Sequence, residues 1–184
     1  MRSAIILLAL FGYTPVAASA QTTRSPADAF RRLGLPSTLI QVVGANEATA
    51  RRLLGRPRAA GPAYDDQDRV VRALSYRRVG GYEIVVMLCG RETVEELACR
   101  NSRAASPNVY EVSIRRRLAD EAAVGRFEAL AHTEIEMASV RTWRECDMPN
   151  YDLAGGATAN VAHMPGTMAL ITLFRTPPPR RAGG

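Results

Sequence analysis

The sequence predicts an α+β fold: an antiparallel sheet of about five strands built around a central glycine-glycine hairpin, with helices packed on the sheet. Three observations predict it. Val70 to Cys89 reads VVRALSYRRV-GG-YEIVVMLC, two β-rich runs either side of Gly80-Gly81. Several short stretches carry helix start signals and end at Gly or Pro. Two later runs, Val109–Arg117 and Thr167–Phe174, have the alternation or the continuous apolar character of strands.

The hairpin comes first because glycine takes the positive φ of a two-residue turn at little steric cost. With Gly80 and Gly81 as the turn, Val79 faces Tyr82, Arg78 faces Glu83, Tyr76 faces Val85 and Leu74 faces Met87. Opposed residues share a face. One face then carries Ala73, Ile84, Val86 and Leu88, and the other carries Leu74, Tyr76, Val85 and Met87. Both are apolar, which predicts that Tyr82–Cys89 is a central strand covered on both sides.

At the front, Arg2 precedes the apolar run Ala4–Gly12 and the small-residue site Ala18-Ser19-Ala20. That is the pattern of a secretory signal peptide over residues 1–20, with Gln21 as the first residue after cleavage and a run too short to anchor in a bilayer. No Cys near the cleavage site offers a lipid anchor, and no later stretch approaches a membrane span. Residues 21–175 suffice for a single α+β domain with a real core. The expected location is the periplasm of a bacterium, or outside the cell.

Every one of the 24 basic residues is Arg, and the formal net charge is +6. The arginines are scattered in pairs, with one triplet at Arg115–Arg117, rather than gathered in a stripe. Nucleic acid is therefore not the expected partner; an acidic partner or an anionic surface is compatible. Three cysteines follow the leader: Cys89, Cys99 and Cys146. An exported compartment permits disulfides, and a turn back over the hairpin strand brings Cys89 and Cys99 within reach. Such a bridge contributes roughly 2–3 kcal/mol by loop entropy. Three pairings are open on spacing alone, and no pair has zinc-site spacing.

Along the chain, Ser25-Pro26-Ala27-Asp28 starts a helix that runs to about Leu33 and stops at Gly34 and Pro36. Leu39–Val43 is a short apolar segment. Asn46 caps a second helix, Glu47–Leu54, ended by Gly55 and Pro57, and residues 56–68 read as a polar loop. Thr93-Val94-Glu95-Glu96 opens a helix of about two turns to Arg100. In Val109–Arg117, Tyr110, Val112 and Ile114 point one way, and Glu111, Ser113, Arg115 and Arg117 the other, as in a half-buried strand at or near a sheet edge. Asp120–Ala131 reads as a helix with Ala123, Phe127 and Leu130 on one stripe, and His132–Trp143 as a strand. Residues 144–166 read as a long irregular segment, Thr167–Phe174 as a final strand, and 176–184 (TPPPRRAGG) as a disordered tail.

The order of elements from about Leu39 to Arg117, with Gly44, then Leu53-Leu54-Gly55-Arg56-Pro57, a polar loop, and Tyr76 in the hairpin, resembles the SmpA/OmlA (BamE-like) envelope modules. That resemblance implies two helices on a three-stranded antiparallel sheet, a shape shared with β-lactamase inhibitory proteins. It also implies a binding or scaffolding role in the cell envelope, with no catalytic residues. The chain departs from those modules in lacking their anchoring Cys.

Four groups of residues qualify for chemistry. His132, Glu134 and Glu136, spaced by two, share one face if they lie on a strand. With His163 they could bind a divalent metal, or else form a solvated face laddered with Arg115 and Arg117. Cys146 and His163 could be a nucleophile and base, although no elbow or oxyanion donor accompanies them. Asp147, Tyr151 and Asp152 sit in the long segment and could contact a partner. Asp65-Asp66 with Asp68 lacks the glycine and distal glutamate of a calcium loop. No cofactor motif is present. The expected function is an exported, non-catalytic binding or scaffolding protein whose partner is another envelope protein. The alternatives are a small periplasmic metal-dependent hydrolase and a secreted enzyme inhibitor, the latter requiring a rigid protruding loop, which a Cys146 bridge could supply.

Overall fold

A computed structural model describes residues 24–65, 69–77, 81–93, 96, 99–100, 102–103 and 105–175. The leader (1–20), the tail (176–184), Asp66, Asp68, the hairpin tip with Gly80, and most of the expected helix after Thr93 lie outside them. The fold is α+β with an open antiparallel sheet, as expected, but the sheet has eight strands rather than about five.

Three short helices lead: α1 (Pro26–Arg32), α2 (Leu39–Val42) and α3 (Glu47–Leu54). Ser25 and Asn46 cap α1 and α3, their side-chain oxygens accepting from the backbone N–H of Asp28 and Thr49. Four strands follow as a meander: β1 (Ala59–Tyr64), β2 (Val70–Arg77), β3 (Tyr82–Leu88) and β4 (Val109–Arg117). Then α4 (Glu121–Ala138) precedes a second meander, β5 (Ser139–Glu145), β6 (Met148–Leu153), β7 (Thr158–Met164) and β8 (Met168–Phe174). The two meanders join through β4 and β8, so the strand order β1-β2-β3-β4-β8-β7-β6-β5 is a mirror sequence, each half running inward from its own edge.

Several expectations are corrected. Residues 56–68 are not all loop: Ala59–Tyr64 forms edge strand β1, where Pro62 is tolerated because an edge strand pairs on one side only. The hairpin register differs by one residue, with Leu74 opposite Val86, Tyr76 opposite Ile84 and Arg77 opposite Glu83. The connection is therefore longer than a two-residue turn. The slip regroups the faces, so Leu74, Tyr76, Ile84, Val86 and Leu88 lie together against the helices, and Val71, Ala73, Val85 and Met87 lie on the second face. β4 is central, between β3 and β8, not at an edge. A bulge at Met87/Leu88 turns Tyr110 to the second face, while Val112 and Ile114 stay on the first.

The largest correction concerns residues 132–143. Their first half continues α4 to Ala138, and only Ser139 onward is strand. The buried stripe of α4 is Val124, Phe127, Ala131, Glu134, Ile135 and Ala138, leaving Leu130 exposed. Residues 144–166 are no long loop either, since they hold β6 and β7 joined by tight turns.

All four helices lie on one face. There, register rows cross the whole sheet: Leu74, Val86, Val112, Leu173, Ala159 and Tyr151 are successive partners. These side chains close on Phe30, Leu39, Val42 and Ile135; each fully buried one contributes about 1.5–3 kcal/mol. Arg116, the middle of the arginine triplet, lies over the rings of Tyr82 (4.8 Å) and Phe127 (5.1 Å), tying the sheet to α4. Where the halves meet, Gly44 has a φ of +80° and the Arg175 side chain lies against its Cα, with Arg175 Nε donating to Val43 O. A Cβ there would meet both a strained backbone and the Arg175 guanidinium.

Candidate functional site

Among the described residues the second face of the sheet carries no α-helix, and its two halves are finished differently. Over β2, β3 and β4, the segment after β3 folds back and is clamped by a Cys89–Cys99 disulfide. Val71, Ala73, Val85, Met87, Cys99 and Tyr110 form a small apolar cluster beneath it. Over β8, β7 and β6 there is a groove of about 520 Å³.

One wall of the groove is the clamped segment. Its anchor is Asp65, whose side chain is fully buried. Asp65 Oδ2 accepts from Arg69 Nε (2.7 Å) and from the Tyr110 hydroxyl (3.0 Å), and Arg69 Nη2 reaches on to Glu96 Oε1 (2.8 Å). Burial and the adjacent Asp65 carboxylate push the Tyr110 phenol far above its ordinary value, so it stays a donor. The two carboxylates hold Arg69 firmly charged. The opposite wall is the β5–β6 hairpin, turned by Cys146 (φ 47°) and Asp147 (φ 65°) between the paired Glu145 and Met148. Two positive φ values make this a type I′ geometry, normally taken by Asn-Gly.

The floor carries a row of polar side chains, Thr172, Asn160 and Asn150, that are successive register partners, and Ser113 continues the row on β4 beyond the groove lining. Asn150 and Asn160 are buried between the two walls, with no α-helix over them among the described residues. Glu111, 7% exposed, accepts from Ser113 Oγ at 2.7 Å. Asn160 Nδ2 donates to Asn150 Oδ1 and Pro149 O at 3.4 Å, and Asn150 Nδ2 to Met148 O at 3.3 Å. Those bonds are long, so the amides can re-aim toward an incoming ligand without a large loss. Phe174, Leu170 and Ala162 add apolar surface beside them. Buried amides beside apolar patches recognise the shape and hydrogen-bond pattern of a ligand.

The residues singled out from sequence distribute as follows. Cys89 and Cys99 are bonded, and Cys146 is an exposed free thiol. A Cys146 bridge is therefore not what would make a protruding loop rigid. Because they lie on a helix, His132 and Glu136, four apart, share a face, but Glu134 between them points nearly opposite. Glu134 is buried against α1 and receives the Arg24 guanidinium, with Arg32 Nε at 3.9 Å. His132 Nδ1 lies 2.8 Å from the Tyr151 hydroxyl. Desolvation holds its imidazole below the ordinary value, against the opposing charges of Glu128 and Glu136. Glu136 is exposed, and His163 pairs instead with Glu128 at 3.1 Å. Among the described residues no group of three or more His, Cys, Asp or Glu could hold a metal ion.

Cys146 and His163 are not brought together: the thiol lines the groove, while His163 turns to α4 on the opposite face. Of the three loop residues, Asp147 sits at the hairpin tip and Tyr151 is buried on the helix face. Asp152 faces the groove side, accepting from Trp143 Nε1 (3.1 Å) and Thr158 Oγ1 (2.8 Å). Sequence reasoning missed Glu111, Asn160, Thr172 and Phe174. The only signal was the polar alternate face of each strand, which reads as solvent until a wall is placed beside it.

No protein-family model, curated protein or solved structure matches the chain.

Proposed function

We propose that the chain is an exported, non-catalytic binding protein of the bacterial cell envelope that holds another envelope component in the groove on the second face of its sheet. The observation that carries the reading is the polar row Thr172–Asn160–Asn150 with its two buried amides, framed by a disulfide-clamped wall and a hairpin wall. A face meant only for water has no need of walls, and a face meant only for the core carries no row of amides. A Cys89–Cys99 bridge is compatible with an oxidising compartment, in keeping with the leader read at residues 1–20.

The test is site-specific photo-crosslinking in cells. A photoreactive residue replacing Ala162 on the groove floor should give a discrete adduct in the envelope fraction. The same residue replacing Val140, exposed on β5, should give none. Equal adducts at both positions, or none at either, would remove the groove as the binding site, and a protein found only in the cytosol would remove the export.

A further inference from the structure

We propose that a second site, at the hairpin end of the second sheet face, binds a multivalent oxyanion of the phosphate type. It does not depend on the groove reading, since it uses different residues.

The sequence pattern left the arginine triplet without an assignment. Arg115 and Arg117 were paired in expectation with Glu134 and Glu136, but those glutamates are on α4 and out of reach of this face. Arg116 is used up on Tyr82 and Phe127. Its neighbours alternate to the other side. Arg77, Glu83 and Arg115 are successive register partners across β2, β3 and β4, and Arg117 stands two residues further along β4, opposite Met168. Arg58 joins from beside β1, its N–H bonded to Ser75 O at 2.8 Å. These five charged residues line one cavity of about 340 Å³.

Four guanidinium groups around a single carboxylate leave an excess of three positive charges. Five arginines elsewhere are neutralised locally: Arg24, Arg31, Arg51, Arg69 and Arg72 each hold a carboxylate within 3 Å. Among the described residues none of Arg58, Arg77, Arg115 and Arg117 has such a partner, and Glu83 is within ion-pair distance of none of them. Arg115 is the telling one. It is half-buried, and its Nε–H is shut off from solvent with no acceptor among the described residues. A desolvated guanidinium donor without an acceptor is costly, and the cost is relieved when an anion supplies oxygens beside it. Guanidinium forks match the paired oxygens of a phosphate group, and several around one cavity suit a dianion better than a single carboxylate. The phosphate could be free in solution or the head group of an anionic lipid; the chemistry at the site is the same.

The purified chain is titrated calorimetrically with inorganic phosphate, and in parallel floated with vesicles of phosphatidylglycerol or of phosphatidylcholine. Saturable binding is expected to phosphate, to phosphatidylglycerol vesicles, or to both, and not to phosphatidylcholine. Response to phosphate alone identifies a soluble anion; vesicle binding that phosphate competes away identifies a head group. R115Q and R117Q should each weaken the response at least tenfold, while R141Q, which removes an exposed arginine on β5, should change it less than twofold. Where R115Q disturbs the circular dichroism spectrum, R117Q and R77Q, both exposed, carry the comparison. No binding to either probe overturns the proposal, as does a loss on R141Q equal to that on R117Q.

Discussion

The two halves of the second sheet face invite comparison, because they have the same architecture and opposite finishes. Each half is a helical lead followed by a four-stranded meander. In the first, the second face is apolar and closed by the segment that Cys89 and Cys99 clamp. In the second, it is amide- and hydroxyl-rich, with walls but no lid among the described residues. The difference teaches that the disulfide serves two purposes. It closes one half, and in doing so it builds the wall that makes a groove of the other.

The comparison breaks most visibly in the cores. Met87→Ala removes a side chain buried under the clamped segment and should cost about 2–5 kcal/mol. Leu170→Ala, in the half-buried groove floor, should cost less than half of that, since little cavity is left where one already exists. Chemical denaturation of the two variants checks it; equal losses would mean that the two halves are equally closed.

Removing the clamp comes next. Cys89→Ser with Cys99→Ser opens a link between residues ten apart and should cost about 3 kcal/mol. Hydrogen exchange should localise the loss to β2, β3 and β4 and spare β6 and β7. Protection lost uniformly would deny the clamp its local role.

Asn160→Ala should hardly alter stability, by about 1 kcal/mol or less, because its bonds are long. It should nevertheless abolish the adduct formed from position 162. A variant that unfolds would place Asn160 among structural residues instead.

The smallest effect is a pH dependence on the other face. His132 is held below the ordinary imidazole value of 6.5 by burial, so the unfolded chain binds the proton more readily. Stability is then fully present above that value and falls as pH drops below it toward the folded-state value. His132→Phe should flatten this part of a melting-temperature profile; a profile unchanged by the substitution would show that the slope belongs to other groups.

Much of the fold was legible in the residues. Ser25 and Asn46 announced α1 and α3 because caps act through contacts three residues away. The apolar run of β3 announced a central strand, and that of β8 a final strand. What misled was information that local pattern does not carry. His132-Thr133-Glu134-Ile135-Glu136 alternates like a strand, yet α4 continues through it because Ile135 and Ala138 extend the stripe that packs on the sheet. Cys146-Asp147 carries no hairpin signal, and the turn exists because β5 and β6 pair on either side of it. The groove was invisible for a related reason: Thr172, Asn160 and Asn150 come from three strands and become neighbours only through register.

The residues alone point to the α+β class, the helix caps and the core strands, because these rest on interactions within a few residues or on composition, whereas spacing left the cysteine pairing open. Tertiary structure alone decided the hairpin register, the length of α4, the mirrored union of the two meanders and the separation of Glu134 from His132 and Glu136. Each of those depends on which surfaces meet across the sheet, and a one-residue shift in that meeting sends every side chain of a strand to the opposite face.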